Sequence, residues 1–90
     1  MIVEKKIWPN YFDLVASGRK KFEIRIADFD IADGDTLVLK EWDPETKDYT
    51  GRSIERKVGY VLNLSLDDLY KMNSEEGIKE HGVQIISLEE

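Results

Sequence analysis

The alternation of apolar and polar residues along this chain predicts a domain built mainly of short strands. Period-two patterns or short apolar runs predict strands over residues 1–8, 21–26, 36–42, 49–62 and 83–88. Turn-forming residues separate them, including the pair Asp33-Gly34 and the hairpin loop 43–48. We expect the long fourth strand to bend at Gly51 or Gly59. Many short strands in one small chain are typical of a curled sheet or barrel.

Two short helices are predicted beside these strands. Pro9 suits the first position of a helix, and Phe12 and Val15 follow at helical spacing before Gly18 ends the helix. A second helix is predicted over residues 65–72, because a serine there suits an N-cap and two aspartates fall in the first turn.

The second strand contains the densest mixture of opposite charges in the chain. Phe22, Ile24 and Ile26 alternate with Glu23 and Arg25, which is typical of a half-buried strand. We expect the apolar face to enter the core and the charged face, a carboxylate between cations, to point outwards.

Composition limits the classes of function. Ninety residues form one domain, expected to span residues 1–90. With no cysteine, a disulfide framework and a thiolate metal site are excluded. No apolar run is long enough to span a membrane and no signal peptide is apparent, so a cytoplasmic protein is expected.

Charge is distributed unevenly and argues against general binding to a nucleic-acid backbone. The net charge is −6, whereas proteins that bind long nucleic acids usually carry a basic surface. Residues 1–26 hold six Lys and Arg against three Asp and Glu, and residues 27–90 hold seven against sixteen. An anion site is therefore expected in the N-terminal third, for a small ligand or a short single-stranded segment.

One main block and three further segments of the sequence resemble the ASCH (activating signal cointegrator homology) family. The main block, Gly18-Arg19-Lys20-Lys21-Phe22-Glu23-Ile24-Arg25, matches the family motif Gly-x-Lys-x-x-Glu-x-Arg. The segments Lys6–Phe12, Gly34–Leu37 and Thr50–Ile54 are similar to short stand-alone members from bacteria and phages. The resemblance implies an α+β fold, a small PUA-like mixed β-barrel of about five to six strands with two short flanking helices.

The same resemblance implies a domain that binds RNA, a nucleoside or a nucleotide without a metal or cofactor. Some small relatives are amidohydrolases acting on N4-acetylcytidine, with a threonine nucleophile activated by the motif lysine. Here Glu23 stands at the threonine position, and a carboxylate is a poor nucleophile for amide hydrolysis. The hydrolase, with Lys20 and Glu23 as its catalytic residues, therefore ranks behind binding.

The residues expected to contact the ligand lie around the motif. The resemblance carries over Lys20, Glu23 and Arg25, and Trp8 and Tyr11 would stack on a base. The secondary candidates are Lys6, Arg56 and Tyr60. Plainer interpretations stay open at each position: an exposed lysine, a surface ion pair, or aromatic rings that build the core.

Arg56, His81 and the acidic remainder of the chain each have an interpretation of their own. Arg56 is expected to pair with Glu41 or Asp35 more readily than to enter a site. His81 has no neighbours at ligand spacing, so no metal site is predicted. The acidic remainder of the chain also suits a protein-interaction module that mimics nucleic acid.

Overall fold

The protein folds into one curled, mixed sheet that forms a half-barrel around a short helix. The computed structural model describes residues 1–64 and 81–89. In chain order the elements are β1 Ile2–Ile7, α1 Pro9–Ala16, β2 Phe22–Ile26, β3 Thr36–Asp43, β4 Asp48–Leu64 and β5 Val83–Glu89. The strands lie in the order β1-β3-β4-β5-β2, with β1 parallel to β3 and the other neighbours antiparallel.

The helix α1 forms where the sequence predicts it. Trp8 takes an extended conformation at the N-cap, Pro9 follows at the first turn, and the N–H of Phe12 donates to the Trp8 carbonyl at 2.8 Å. Gly18 has a φ of 80°, which is favourable for glycine and lets the chain reverse. The helix therefore delivers the chain into β2 after a turn of only a few residues.

The core lies between α1 and the concave face of the sheet. Phe12 and Val15 are the buried residues of the helix, and they join strand residues that alternate along β1, β3, β4 and β5. The buried cluster consists of Ile7, Phe12, Val15, Ile31, Leu37, Leu39, Val58, Ile86 and Leu88.

The orientation of β2 is opposite to the one its pattern predicts. Glu23 is only 3% exposed, whereas Phe22, Ile24 and Ile26 are 45%, 58% and 43% exposed. The prediction that the apolar face enters the core was wrong. The interior is filled at this point by Glu23 with its cationic partners, and burial of a charge is tolerated when the charge is paired.

Irregularities in the two longest strands shape the half-barrel. The β3–β4 register shifts between Lys40 and Trp42, and the β4–β5 register shifts between Val58 and Val61. The second shift spans Gly59, one of the two predicted bending points. The first spans Gly51, the other predicted bending point, because three residues of β4 between Tyr49 and Ser53 lie opposite the single residue Glu41 of β3.

The five strands agree with the expected five to six. Of the two expected helices, the described residues contain α1. The helix predicted over residues 65–72 lies outside the described residues. No helix within residues 1–64 and 81–89 is long and apolar enough to cross a membrane.

Candidate functional site

A cleft of about 490 Å³ opens where the sheet fails to close. β1 and β2 are the terminal strands of the sheet, so their outer edges face each other across this gap. The lining residues are Lys6, Ile7, Trp8, Tyr11, Lys20, Phe22, Glu23, Ile24, Arg25 and Trp42. The cleft therefore combines both strand edges with the first turn of α1.

A buried carboxylate between two cations forms the polar part of the cleft. Nζ of Lys20 donates to Oε1 of Glu23 at 2.5 Å, and Nε of Arg25 donates to Oε2 at 3.0 Å. The Glu23 side chain is 4% exposed, against 18% for Lys20 and 25% for Arg25. Glu23 thus holds both cationic side chains in fixed positions at the wall of the cleft.

Arg25 also links the two open edges of the sheet. Its Nη2 donates to the main-chain carbonyl of Lys6 at 2.6 Å, while the same nitrogen lies 2.9 Å from Oε2 of Glu23. The guanidinium can make these contacts together because its donors lie in one plane. Arg25 therefore has a structural role in addition to lining the cleft.

The main chain of β2 offers further hydrogen-bonding groups to the cleft. The N–H of Leu88 donates to the Lys21 carbonyl, and the N–H of Ala27 donates to the Gly82 carbonyl. The main-chain N–H and C=O groups of the odd-numbered residues of β2 are therefore directed towards β5. In an antiparallel ladder the intervening residues point their N–H and C=O groups the other way. Phe22 and Ile24 therefore present donors and acceptors along the open edge.

Aromatic rings form the remaining walls. Trp8 and Tyr11 are 51% and 46% exposed, so they are not core residues. Trp42 also lines the cleft, with the ammonium of Lys6 4.7 Å from its ring centroid. Trp42 was not among the site residues proposed from the sequence, because its place at the shoulder of a hairpin gave no sign that it would reach β1.

The structure brings together six of the eight residues proposed from the sequence. Lys6, Trp8, Tyr11, Lys20, Glu23 and Arg25 all line the cleft. Arg56 lines a different cavity, and Tyr60 is 66% exposed on β4 and lines neither. Arg56 also does not pair with Glu41 or Asp35 as predicted, because its guanidinium donates to the main-chain carbonyls of Glu55 and Val15.

A second buried carboxylate fixes α1 to the hairpin of β3 and β4. Glu41 is 3% exposed and accepts from Arg52 through both oxygens, at 2.9 and 2.5 Å, and from the hydroxyl of Thr50. Arg52 reaches on to Asp13 of the helix at 3.0 Å and lies over the ring of Phe12. These hydrogen bonds from Arg52 and Thr50 lower the pKa of Glu41, and those from Glu41 and Asp13 raise the pKa of Arg52. This network positions the helix that carries Trp8 and Tyr11.

The arrangement is suited to recognition of a planar, polar ligand. It offers fixed cationic donors, a strand edge and aromatic surfaces within one cavity, and its volume is within the range of small-molecule sites. Within the described part of the chain, no three His, Asp or Glu side chains are placed to hold a metal ion.

Comparison with known proteins identifies the family. The family described as "Domain of unknown function (DUF3850)" matches residues 2–74. The chain belongs to this family. A relative of this chain in sequence is an uncharacterized 12.9 kDa protein of Escherichia phage P2, 42% identical over 64 residues. The match covers 71% of this chain and 57% of the phage protein, so it spans little more than half of that relative.

Solved structures share the fold of this DUF3850 chain. The hypothetical protein PH0355 matches with a TM-score of 0.72 and 22% identity, over 99% of this chain and 98% of its own. A mutant of ZmASCH from Zymomonas mobilis matches with a TM-score of 0.64 and 15% identity, over 99% and 69%. A Pyrococcus furiosus protein solved by NMR matches with a TM-score of 0.56 and 18% identity, over 99% and 96%. At these identities the likeness establishes an ASCH-like fold and nothing finer.

Proposed function

We propose that this DUF3850 domain binds a nucleobase, presented by single-stranded RNA or by a free nucleoside or nucleotide, in the cleft between β1 and β2. The observation that carries the proposal is the convergence of Lys20, Glu23 and Arg25 with exposed Trp8 and Tyr11 around one cavity. The ASCH-like fold supports an RNA-binding type of domain, because an ASCH protein is among its structural neighbours.

Each group in the cleft has a use in this proposal. An unstacked base is recognised through its edge by hydrogen bonds and through its face by an aromatic ring. Trp8 would supply the ring, and Lys20 together with the open edge of Phe22 and Ile24 would supply the hydrogen bonds. Glu23 would act by holding Lys20 and Arg25 in place.

Binding is favoured over amide hydrolysis by the state of Glu23. Both oxygens of this carboxylate are already bonded, one to Lys20 and the other to Arg25. These bonds fix the carboxylate towards the two cations, and its side chain is only 4% exposed, so a substrate or a water has little access to its remaining acceptor positions. We therefore assign Glu23 to positioning, with hydrolysis of an N4-acylated cytidine as the alternative that the experiment must detect.

The test is an amide-shift titration by NMR with cytidine, N4-acetylcytidine and short single-stranded RNAs. We expect shifts confined to residues 6–11 and 20–26 and their loss in Lys20→Ala, with Arg19→Ala as the matched control. Arg19 is the exposed neighbour of Lys20 and does not line the cleft. Absence of shifts at millimolar ligand would refute the proposal.

The same samples separate the alternatives. Slow release of free cytidine from N4-acetylcytidine would identify a hydrolase. An acidic mimic of nucleic acid would instead bind a basic partner with an affinity that falls steeply as salt is added, because exposed charges are screened. A nucleobase held in the cleft would be far less sensitive to salt.

A further inference from the structure

A second cavity, of about 250 Å³, adjoins the cleft at Lys20. It is lined by Val15, Gly18, Lys20, Lys21, Arg56, Leu88 and Glu89. It thus lies between the end of α1, the turn into β2 and the adjacent strands β4 and β5. Lys20 is the one residue that lines both cavities, so the two are neighbours at this residue.

The charge of this second cavity is opposite to that of the protein. Its lining holds three cationic residues and one carboxylate, that of Glu89, in a chain whose net charge is −6. Lys20 is already paired with Glu23, so the local excess of positive charge comes from Lys21 and Arg56. Anion sites depend on such a local excess of positive charge, whatever the charge of the whole protein. The cavity is therefore suited to an anion and not to a second base.

Two of its cations are without a carboxylate partner among the described residues. Arg25 and Arg52 are neutralised by ion pairs, but neither Lys21 nor Arg56 lies within 4 Å of a carboxylate oxygen in residues 1–64 and 81–89. The guanidinium of Arg56 is held by main-chain carbonyls, at 2.9 Å from Glu55 and 3.4 Å from Val15. These bonds orient the Arg56 side chain without neutralising its charge, which leaves it available to an anion.

We propose that this cavity is a phosphate subsite for the ligand whose base occupies the cleft. The proposal rests on the nucleobase function argued above. A base and its phosphate are separated by one sugar and therefore need adjacent sites, and the two cavities share the lining residue Lys20. Arg56 and Lys21 contact the phosphate, which can belong to a mononucleotide or to the backbone of single-stranded RNA.

The test compares ligands that differ only in phosphate. Cytidine, cytidine 5′-monophosphate, cytidine 3′-monophosphate and a cytidine-containing dinucleotide are titrated by calorimetry. A charge-assisted contact to phosphate, weakened by solvent, gives a preference over cytidine of roughly tenfold in Kd. A preference for either monophosphate indicates a mononucleotide, and a preference restricted to the dinucleotide indicates RNA.

Variants of the lining residues test whether the preference for phosphate-bearing ligands arises in this cavity. Arg56→Gln and Lys21→Gln should reduce it to about threefold or less while leaving the Kd of cytidine unchanged, and Arg19→Gln should change neither. Glu89→Gln should increase the preference, because it removes a negative charge from the same cavity. Equal affinity for cytidine and every phosphate-bearing ligand, or a preference retained in both cavity variants, would overturn the proposal.

Failure of the two proposals can be told apart. If cytidine binds and its phosphates bind no better, the base cleft stands and the phosphate subsite is wrong. If cytidine fails to bind but inorganic phosphate shifts the amides of residues 15–21 and 56, the anion site stands and the nucleobase function is wrong.

Discussion

The unusual orientation of β2 can be tested with two neighbouring substitutions whose costs should differ in a direction that the sequence pattern does not predict. Glu23→Ala removes a buried carboxylate and leaves Lys20 and Arg25 without their common partner. Ile24→Ala removes apolar atoms from a side chain that is 58% exposed. If the apolar face pointed into the core, Ile24→Ala would be the more damaging of the two.

The magnitudes follow from burial. Removing one member of a buried ion pair costs about 3–5 kcal/mol, and we reduce this to about 2–3 kcal/mol because water reaches the two cations. Complete burial of an isoleucine contributes about 1.5–3 kcal/mol, so truncating Ile24, with more than half of its surface exposed, should cost less than about 1 kcal/mol. The difference is large for a domain whose whole stability is about 4–13 kcal/mol at this length.

Urea unfolding followed by tryptophan fluorescence measures both variants against the wild type. Because m should not change, the shift in midpoint gives the change in the free energy of unfolding. Glu23→Gln, which keeps the shape and removes the charge, should fall between the two and serves if Glu23→Ala does not fold. A larger loss for Ile24→Ala than for Glu23→Ala would refute the buried carboxylate and the cleft built on it.

Three further predictions concern other parts of the molecule. Glu41→Gln should make the free energy of unfolding less dependent on pH. In the wild type the lowered pKa of Glu41 stabilises the fold at pH values above 4.5, the carboxyl's ordinary pKa, and this stabilisation is lost as the pH falls through the lowered pKa. Urea midpoints at a series of pH values check this. If variant and wild type lose equal stability as the pH falls, Arg52 does not stabilise the charged form of Glu41. Gly59→Ala should cost about 1–3 kcal/mol, because a Cβ there would lie 2.6 Å from Oγ of Ser87. Thermal unfolding checks this, Ser87→Ala in the same chain should restore part of the loss, and additive effects would disprove the clash. Trp8→Ala should weaken cytidine binding by about 1–3 kcal/mol in calorimetry with little change in unfolding, and unchanged affinity would remove Trp8 from the stacking wall.

The local elements were largely readable from the sequence because they depend on local chemistry. Pro9 and Gly18 delimit α1 since their backbone preferences act within one turn of chain. The β2 strand was likewise found within one residue of its start, because alternation over a few residues is a local property. The order of the strands in the sheet depends on long-range pairing, which no short window contains.

The candidate site likewise contains residues that a local motif identifies and residues that only long-range pairing brings to it. The sequence brought Lys20, Glu23 and Arg25 to attention because they share one short motif, but Trp42 is distant along the chain and reaches the cleft only through the pairing of β1 with β3. Arg52 and Arg56 are both cations of one strand, and only Arg56 was singled out from the sequence as a candidate for the site. Pairing with β3 gave Arg52 the carboxylate of Glu41 and packing against α1 gave it that of Asp13, whereas Arg56 was left with carbonyl groups.

By itself, the sequence determined that β2 has one apolar and one charged face, but not which face is inside. A strand pattern is symmetrical in this respect: it separates the faces, and burial is assigned by what the rest of the fold places on each side. Here Lys20 and Arg25 converge on Glu23 from the turn and from the strand itself, so the charged face is paired well enough to be buried. The tertiary structure thus decided the orientation of β2, and with it the existence of the cleft.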